Sequence, residues 1–262
     1  DLELVRYSYL QWKEQIANFY YNNLFWIRVT DNYVSNSLAE KVIGSPVNKG
    51  SCPKNEVSVA FGLRMENRTW ENQKEGWLAI IRCLEKSFKK VTIIIDGHNK
   101  SNFSGVLRSA GETQEHSIVN KEKELVEYLK SQSYSAEVSI ISCIESTLIH
   151  NVRVLNKCDF FIAPWGAGLA KMKWICNLPG VVLTSNWNLK SRPDLRIYDS
   201  PEYRENAIES VFLDSRYIDD IGNESALVKS ELAQKHNFLV DLDGLLLTVE
   251  TLIKDLGAKD EF

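Results

Sequence analysis

Several features that would assign a function class at once are missing from this sequence. The cysteines and histidines form no CxxC pair and no cluster with zinc-site spacing, and no Gly-x-Ser-x-Gly segment marks a serine hydrolase. No apolar run approaches the ~18 residues that span a bilayer. A net charge of −4 provides no excess of positive charge for a nucleic-acid backbone. Zinc-site proteins, serine hydrolases, membrane-spanning proteins and nucleic-acid-binding proteins are therefore disfavoured.

The cysteines are few and odd in number, at 5 in 262 residues. Four of them fall in predicted helices or at strand ends: Cys83, Cys143, Cys158 and Cys176. That placement is typical of reduced cysteines in a hydrophobic core. We therefore expect a protein of the reducing cytoplasm.

The beginning of the chain differs in pattern from the remainder. Residues 1–50 are helical in pattern and rich in aromatic side chains, with one helix predicted over Asn36–Ile43. Residues 44–53 are dense in turn formers and typical of a linker. We therefore divide the chain into a helical segment, residues 1–50, and a domain, residues 56–262.

From Glu56 onward, short apolar runs rich in β-branched residues alternate with amphipathic helices. Nearly continuous hydrophobicity is typical of strands buried on both faces. The predicted strands are Val57–Leu63, Val91–Ile95, Ala136–Ser142, Asp159–Pro164 and Val181–Thr184. The predicted helices are Glu71–Ser87, Asn120–Ser131, Ser146–Asn156, Leu169–Cys176 and a closing helix, Leu242–Leu256, capped by Gly257. This order predicts an α/β fold with a Rossmann-like, mostly parallel sheet and helices on both faces.

The strongest candidate site is the strand that runs into the turn Trp165-Gly166-Ala167-Gly168. Ligands of open α/β sheets bind at the carboxyl ends of the strands. Small residues let the backbone approach a ligand closely, and the first N–H groups of the next helix point at anions. The turn therefore fits a diphosphate. A tight turn whose glycines serve packing alone is an equally good interpretation.

With its flanks, this segment resembles the signature of glycosyltransferase family 61 and related bacterial capsule and lipopolysaccharide transferases. The strand, Gly166–Leu169, an amphipathic helix and Pro179–Leu183 follow one another in the family's order. Trp165 stands where the family has His, and Thr184-Ser185 stand where its next strand ends in an acidic residue. The resemblance implies the nucleotide-sugar-binding C-terminal half of a GT-B-type enzyme of polysaccharide biosynthesis. It also implies a bacterial cytoplasmic location, at the inner face of the membrane.

A second part of the resemblance lies upstream, where a predicted strand leads into Arg64, Arg68 and Asn72. Two arginines at a strand end can hold a diphosphate as bidentate donors, and Asn72 can cap the following helix. Surface ion pairs of the arginines with Glu66 or Glu71 are the alternative.

Ser146, predicted as a helix cap, and Ser185 complete the expected donor contacts. The predicted donor-binding residues are Arg64, Arg68, Asn72, Ser146, Trp165, Gly166, Ala167, Gly168 and Ser185.

Proton transfer from an acceptor hydroxyl needs a base, and Asp96 and His98 follow a predicted strand at the expected crevice. In GT-B enzymes that base often comes from the opposite lobe, and a turn stabilised by Asp96 is the alternative. Asp241-x-Asp243 has the Asp-x-Asp form of metal-dependent transferases, but it precedes the last helix. We therefore expect no metal and no cofactor beyond the donor substrate.

The sequence thus favours a transferase that moves a sugar from a nucleotide-sugar donor to a glycan or lipid-linked acceptor. Each GT-B lobe takes about 150 residues. Either the N-terminal lobe is reduced, or it lies on a missing portion of the polypeptide. A homo-oligomer is the other partner that we expect. A non-catalytic nucleotide- or glycan-binding module is the alternative. A metal-dependent hydrolase using Asp96, His98 and His150 is less favoured because the ligand spacing is poor.

Overall fold

The computed structural model describes residues 33–47, 55–99, 112–221 and 236–259. They belong to one compact unit that begins at Tyr33. Helix α1 is Asn36–Ile43, as predicted, and its residues Ala39 and Ile43 are buried in the core of that unit. The division of the chain at residues 50–56 stays a prediction. Most of the predicted helical segment lies outside the described residues.

The main sheet has 6 strands in the order β3-β2-β1-β4-β5-β6, and every neighbouring pair is parallel. The strands are β1 Glu56–Gly62, β2 Lys90–Asp96, β3 Glu137–Ser142, β4 Phe160–Pro164, β5 Gly180–Leu183 and β6 Val211–Phe212. This is the strand order of a Rossmann fold. The predicted fold class is confirmed, and all five predicted strands are present, with β6 as an addition.

Helices cover both faces of this sheet. They are α2 Gln73–Ser87, α3 Glu112–Lys130, α4 Leu148–Leu155, α5 Asn186–Ser191 and α6 Leu242–Lys259. Alternate residues of β1 enter two separate apolar clusters, with Val59 and Phe61 in one and Ala60 in the other. The first cluster includes residues of α2, α3 and α6, and the second includes residues of α1 and α4.

Two helix predictions need correction. The segment Lys171–Ile175 is a π-helix rather than an α-helix. Helix α6 continues through Gly257 to Lys259, so Gly257 is not its cap. Among the described glycines, only Gly44, which ends α1, has the left-handed φ that a glycine cap needs.

A small hairpin lies beside the main sheet. Its strands, β7 Ile218–Ile221 and β8 Asn237–Val240, are antiparallel. Trp70 bridges to Phe238 of β8 and packs edge-on against Trp77, and both indoles are fully buried. The hairpin therefore fixes the chain between β1 and α2. Cys83, Cys143, Cys158 and Cys176 are free and buried, as predicted, and Cys52 lies outside the described residues.

Candidate active site

The strand order reverses between β1 and β4, and the crevice of an open α/β sheet forms at that point. Three predicted segments meet there: residues 63–72 after β1, residues 97–99 after β2, and residues 165–170 after β4. A cavity of about 50 Å³ lies among them, with Arg64, Asp96, Gly168 and Lys171 in its wall. The structure thus brings together the strand ends that the sequence singled out.

The turn after β4 leaves its backbone accessible. Gly166 is buried, whereas Ala167 and Gly168 are exposed. A Cβ atom on Gly166 would lie 2.2 Å from Nη1 of Arg64, while nothing lies within 4 Å of one on Gly168. The absence of a side chain at Gly166 therefore allows the Arg64 guanidinium to pack directly against the turn. At Gly168 the space beside the backbone is open.

Asn67 holds both predicted arginines. Arg64 donates from Nε to the backbone oxygen of Asn67 at 2.5 Å and from Nη2 to its Oδ1 at 2.8 Å. Arg68 donates from Nε to the same Oδ1 at 3.3 Å. The predicted alternative, ion pairs with Glu66 or Glu71, is not among the salt bridges of the described residues. The two guanidinium groups are therefore directed by one asparagine.

A third arginine, which the sequence analysis missed, joins them through Trp165. The guanidinium of Arg192 lies 4.7 Å from the centre of the Trp165 ring, and that of Arg68 lies 5.2 Å from it. The indole is 5% exposed and donates to the backbone oxygen of Leu195 at 3.0 Å. Arg192 lies at the end of α5, the helix that follows β5. Because ligands bind at the carboxyl ends of the strands, a search of the residues after β5 could have identified Arg192.

Electrostatics set this arginine cluster (Arg64, Arg68 and Arg192) apart. Burial lowers the pKa of Arg64. Burial, followed by the charges of Arg64 and Arg192, lowers the pKa of Arg68 to about 10. Arg68 also has a φ of 56°, an unfavourable conformation for a residue other than glycine. Asp194 pairs with Arg192 at 2.7 Å. The cluster is therefore held together against mutual repulsion that a bound anion would relieve.

Asp96 lies in a buried polar network below the turn. Its Oδ1 accepts from Lys171 Nζ at 2.6 Å and from Asn151 Nδ2 at 2.7 Å. Asn99 accepts from the same two donors. Burial raises the pKa of Asp96, and the Lys171 charge acts in the opposite direction. The carboxyl group is only 3% exposed, and its Oδ1 is already engaged by these two donors.

His98 lies between two carboxylates. Its Nδ1 lies 2.8 Å from Glu122 Oε1 and its Nε2 lies 3.2 Å from Glu66 Oε1. Its backbone N–H also donates to Glu122 at 2.9 Å. The hydrogen bond to Glu122 is the largest cause of a pKa raised to about 9. The ring therefore carries its proton at neutral pH and can act as a base only after releasing that proton.

The contacts of His98 with Glu122 and Glu66 should make the stability of the protein depend on pH. The His98 pKa is raised on folding, so its contribution is fully present below its ordinary pKa of 6.5 and is lost as pH rises through about 9. We expect His98→Gln to cost about 1–2 kcal/mol at pH 6.5, after discounting for solvent screening. Urea denaturation of both proteins from pH 6 to 10 measures this difference. A difference that stays constant across that range would contradict the pairing.

Three predicted donor contacts have other partners. Asn72 precedes α2 without capping it, because its Oδ1 accepts from Trp70 and Val240 and its Nδ2 donates to Val240. Ser146 is not the helix cap, because Thr147 caps α4 and the Ser146 hydroxyl bonds to Cys143. Ser185 is buried and caps α5. In this structure all three side chains stabilise the site's framework.

The Asp-x-Asp segment has a structural role at the start of α6, where Asp241 accepts from the backbone N–H of Gly244 at 2.7 Å. Within the described ranges, no group of three or more His, Cys, Asp or Glu side chains is arranged to hold a metal ion. None of the helices in those ranges combines the length and the apolar character needed to cross a membrane.

No family model matches the chain, and no curated protein matches it either. One solved structure to which it is similar is the glycosyl transferase family 9 protein from Veillonella parvula DSM 2008, at a TM-score of 0.40 and 9% identity. The alignment covers 84% of this chain and 51% of the other, so the chain spans about half the length of that structure. The assignment of the Rossmann-like fold rests on the strand order and on the parallel pairing of the sheet itself.

Proposed function

We propose that this chain is the donor-binding half of a GT-B-type glycosyltransferase that transfers a sugar from a nucleotide-sugar donor to a glycan or lipid-linked acceptor. One observation carries the proposal. Arg64, Arg68 and Arg192 converge beside an open Gly-Ala-Gly turn at the reversal point of a Rossmann sheet. The diphosphate of a nucleotide sugar is a ligand whose negative charge suits that position.

The arginine cluster supplies what this reaction needs from the donor side. As the bond between the anomeric carbon and the diphosphate oxygen breaks, negative charge grows on that oxygen. Guanidinium groups bind phosphate oxygens in pairs and stabilise such charge in a partly buried site. We therefore propose that the arginines neutralise the leaving group without a metal ion.

The acceptor side needs a base, because the attacking hydroxyl oxygen bonds to the anomeric carbon and releases its proton. Asp96 and His98 remain our proposed groups for this transfer. Each group can accept the proton only after a change in its ion pairs. Asp96 must separate from Lys171. His98 must first lose its own proton, and the neighbouring Glu122 and Glu66 raise the His98 pKa to about 9.

The same ion pairs favour one alternative, a module that binds a nucleotide or glycan and takes its catalytic groups from another lobe or chain. Turnover separates the two functions. A module would bind the nucleotide and leave the donor sugar intact after prolonged incubation with candidate acceptors.

The direct test is a thermal-shift screen of UDP-, GDP-, CMP- and TDP-linked compounds. We expect one nucleotide to raise the melting temperature by several degrees, since a ligand at 100 times its Kd adds about 2.7 kcal/mol. Arg64→Ala should abolish the shift by removing the charge, and Gly166→Val by displacing the Arg64 guanidinium.

Arg82→Ala is the matched control, because Arg82 lies on α2 and pairs with Glu85, away from the crevice. It should retain the full shift. If no nucleotide shifts the unmodified protein at millimolar concentration, the donor-site proposal fails.

A further inference from the structure

A second and larger cavity, of about 490 Å³, lies between α3 and the residues that follow β1. Pockets that hold small molecules have volumes of roughly 300–1,000 Å³. Residues 65–74 form one side, Lys121–Tyr128 of α3 form the other, and Asn237 of β8 completes the rim. None of these residues lines the small cavity at the Gly-Ala-Gly turn. The two cavities therefore have separate sets of lining residues.

The charged groups of this cavity largely have partners within the protein. Glu66 bonds to His98, and Glu71 accepts from Asn237 Nδ2 at 2.5 Å. The ammonium group of Lys74 lies 4.1 Å from the centre of the Tyr128 ring. Glu124 and Lys121 add one charge of each sign on α3. The lining is thus nearly neutral in sum but rich in hydrogen-bonding groups.

Acceptor oxygens predominate in this lining, with three carboxylates and two side-chain amides. Gln73 is 5% exposed, and its Oε1 has no hydrogen-bond partner within the described part of the chain. A buried acceptor without a donor is costly. A ligand with several hydroxyl groups would supply donors here and accept from Lys121 and the amides. An anion would instead meet the carboxylates, and an apolar ligand would leave the lining unsatisfied.

We propose that this cavity binds a neutral saccharide. Two residues of its wall contact the neighbouring candidate active site. Gln73 donates to the backbone oxygen of Arg64 at 3.4 Å, and Glu66 contacts His98. The saccharide therefore lies next to the segment that carries Arg64 and Arg68. The assignment of this saccharide as the acceptor rests on the proposed function, whereas the binding itself does not.

Saturation-transfer NMR on the full chain tests the binding, with the methyl glycosides of glucose, galactose, mannose and N-acetylglucosamine as probes and no nucleotide present. We expect transfer to at least one glycoside. Glu124→Gln should weaken its Kd about tenfold by removing one charged acceptor. Glu127→Gln is the matched control, because Glu127 lies on the same helix, pairs with Lys130 and does not line the cavity.

Gln73→Met gives a second measurement, since it removes the unpartnered oxygen while keeping a side chain of similar length. It should also weaken binding. Transfer to none of the glycosides, or a Kd that both cavity variants leave unchanged, overturns the proposal. So does equal weakening by Glu127→Gln. A nucleotide-induced thermal shift measured on the same samples reports separately on the donor site, so the two proposals can fail independently.

Discussion

Replacing Lys171 with methionine is expected to destabilise the protein by about 3–5 kcal/mol, the usual effect of removing one partner of a buried ion pair. The ammonium group lies 2.6 Å from Asp96, and the two side chains are 13% and 3% exposed. Without Lys171, the Asp96 carboxylate stays in a buried position, where the Asn151 amide donates to it. The free energy of unfolding from urea denaturation at pH 7 measures the loss.

Two further variants identify the cause. Asp96→Asn in the Lys171→Met background removes the uncompensated charge and should recover most of the stability. Lys123→Met is the matched surface control, because the Lys123–Glu145 pair is about half exposed and such pairs contribute roughly 0–1 kcal/mol.

The pH dependence gives an independent check on the same prediction. Burial raises the Asp96 pKa, and loss of the opposing Lys171 charge would raise it further above its value in the unfolded chain. The destabilisation of Lys171→Met should therefore shrink as pH falls from 7 to 5, because the carboxyl group takes up a proton. A penalty that is independent of pH, or that Asp96→Asn fails to relieve, would show that Lys171 acts through packing alone.

The main sheet could be predicted because each of its longer strands is marked by the hydrophobicity of its own residues. Strands β1, β2 and β4 are short apolar runs that the Rossmann order buries on both faces, and their sequence alone shows this. Strands β6, β7 and β8 were not predicted. β6 has only two residues, and β7 and β8 are separated by residues 222–235, so these strands are recognised by their pairing rather than by their composition. The π-helix at Lys171–Ile175 was missed because a run this short does not distinguish helix types by hydrophobic periodicity.

The sequence predicted where the candidate site residues lie in the fold but not which side chains contact one another. The strand-end rule located Arg64, Asp96 and the Gly-Ala-Gly turn, which the fold brings together. It did not reveal that Glu122, one charge among many on α3, is fully buried against His98. That contact joins positions separated by 24 residues, and it keeps the candidate base His98 protonated at neutral pH. Protonation states thus depend on tertiary contacts that sequence patterns do not encode.

The arginine cluster leads to an expected trade-off between stability and binding. Arg68→Asn should leave the free protein equally stable or about 1 kcal/mol more stable, because asparagine tolerates a φ of 56° better than arginine does. It also removes the like charge that Arg64 and Arg192 oppose. The same variant should weaken nucleotide binding about 10- to 100-fold, the value of a charged hydrogen bond to phosphate.

Arg196→Asn is the matched control for this last prediction. Arg196 also lies over an aromatic ring, 4.6 Å from the centre of Phe212, but its φ is −94°. Its replacement therefore loses a ring contact, an ion pair with Asp199 and a hydrogen bond to Ser210, without relieving strain or repulsion. It should leave the nucleotide Kd unchanged. Calorimetric titration and urea denaturation of both variants give the two quantities. An Arg68 kept for packing would show the opposite pattern, with stability lost and affinity retained. Loss of binding without loss of stability would instead identify the strained, repelled guanidinium as a group maintained for its anionic ligand.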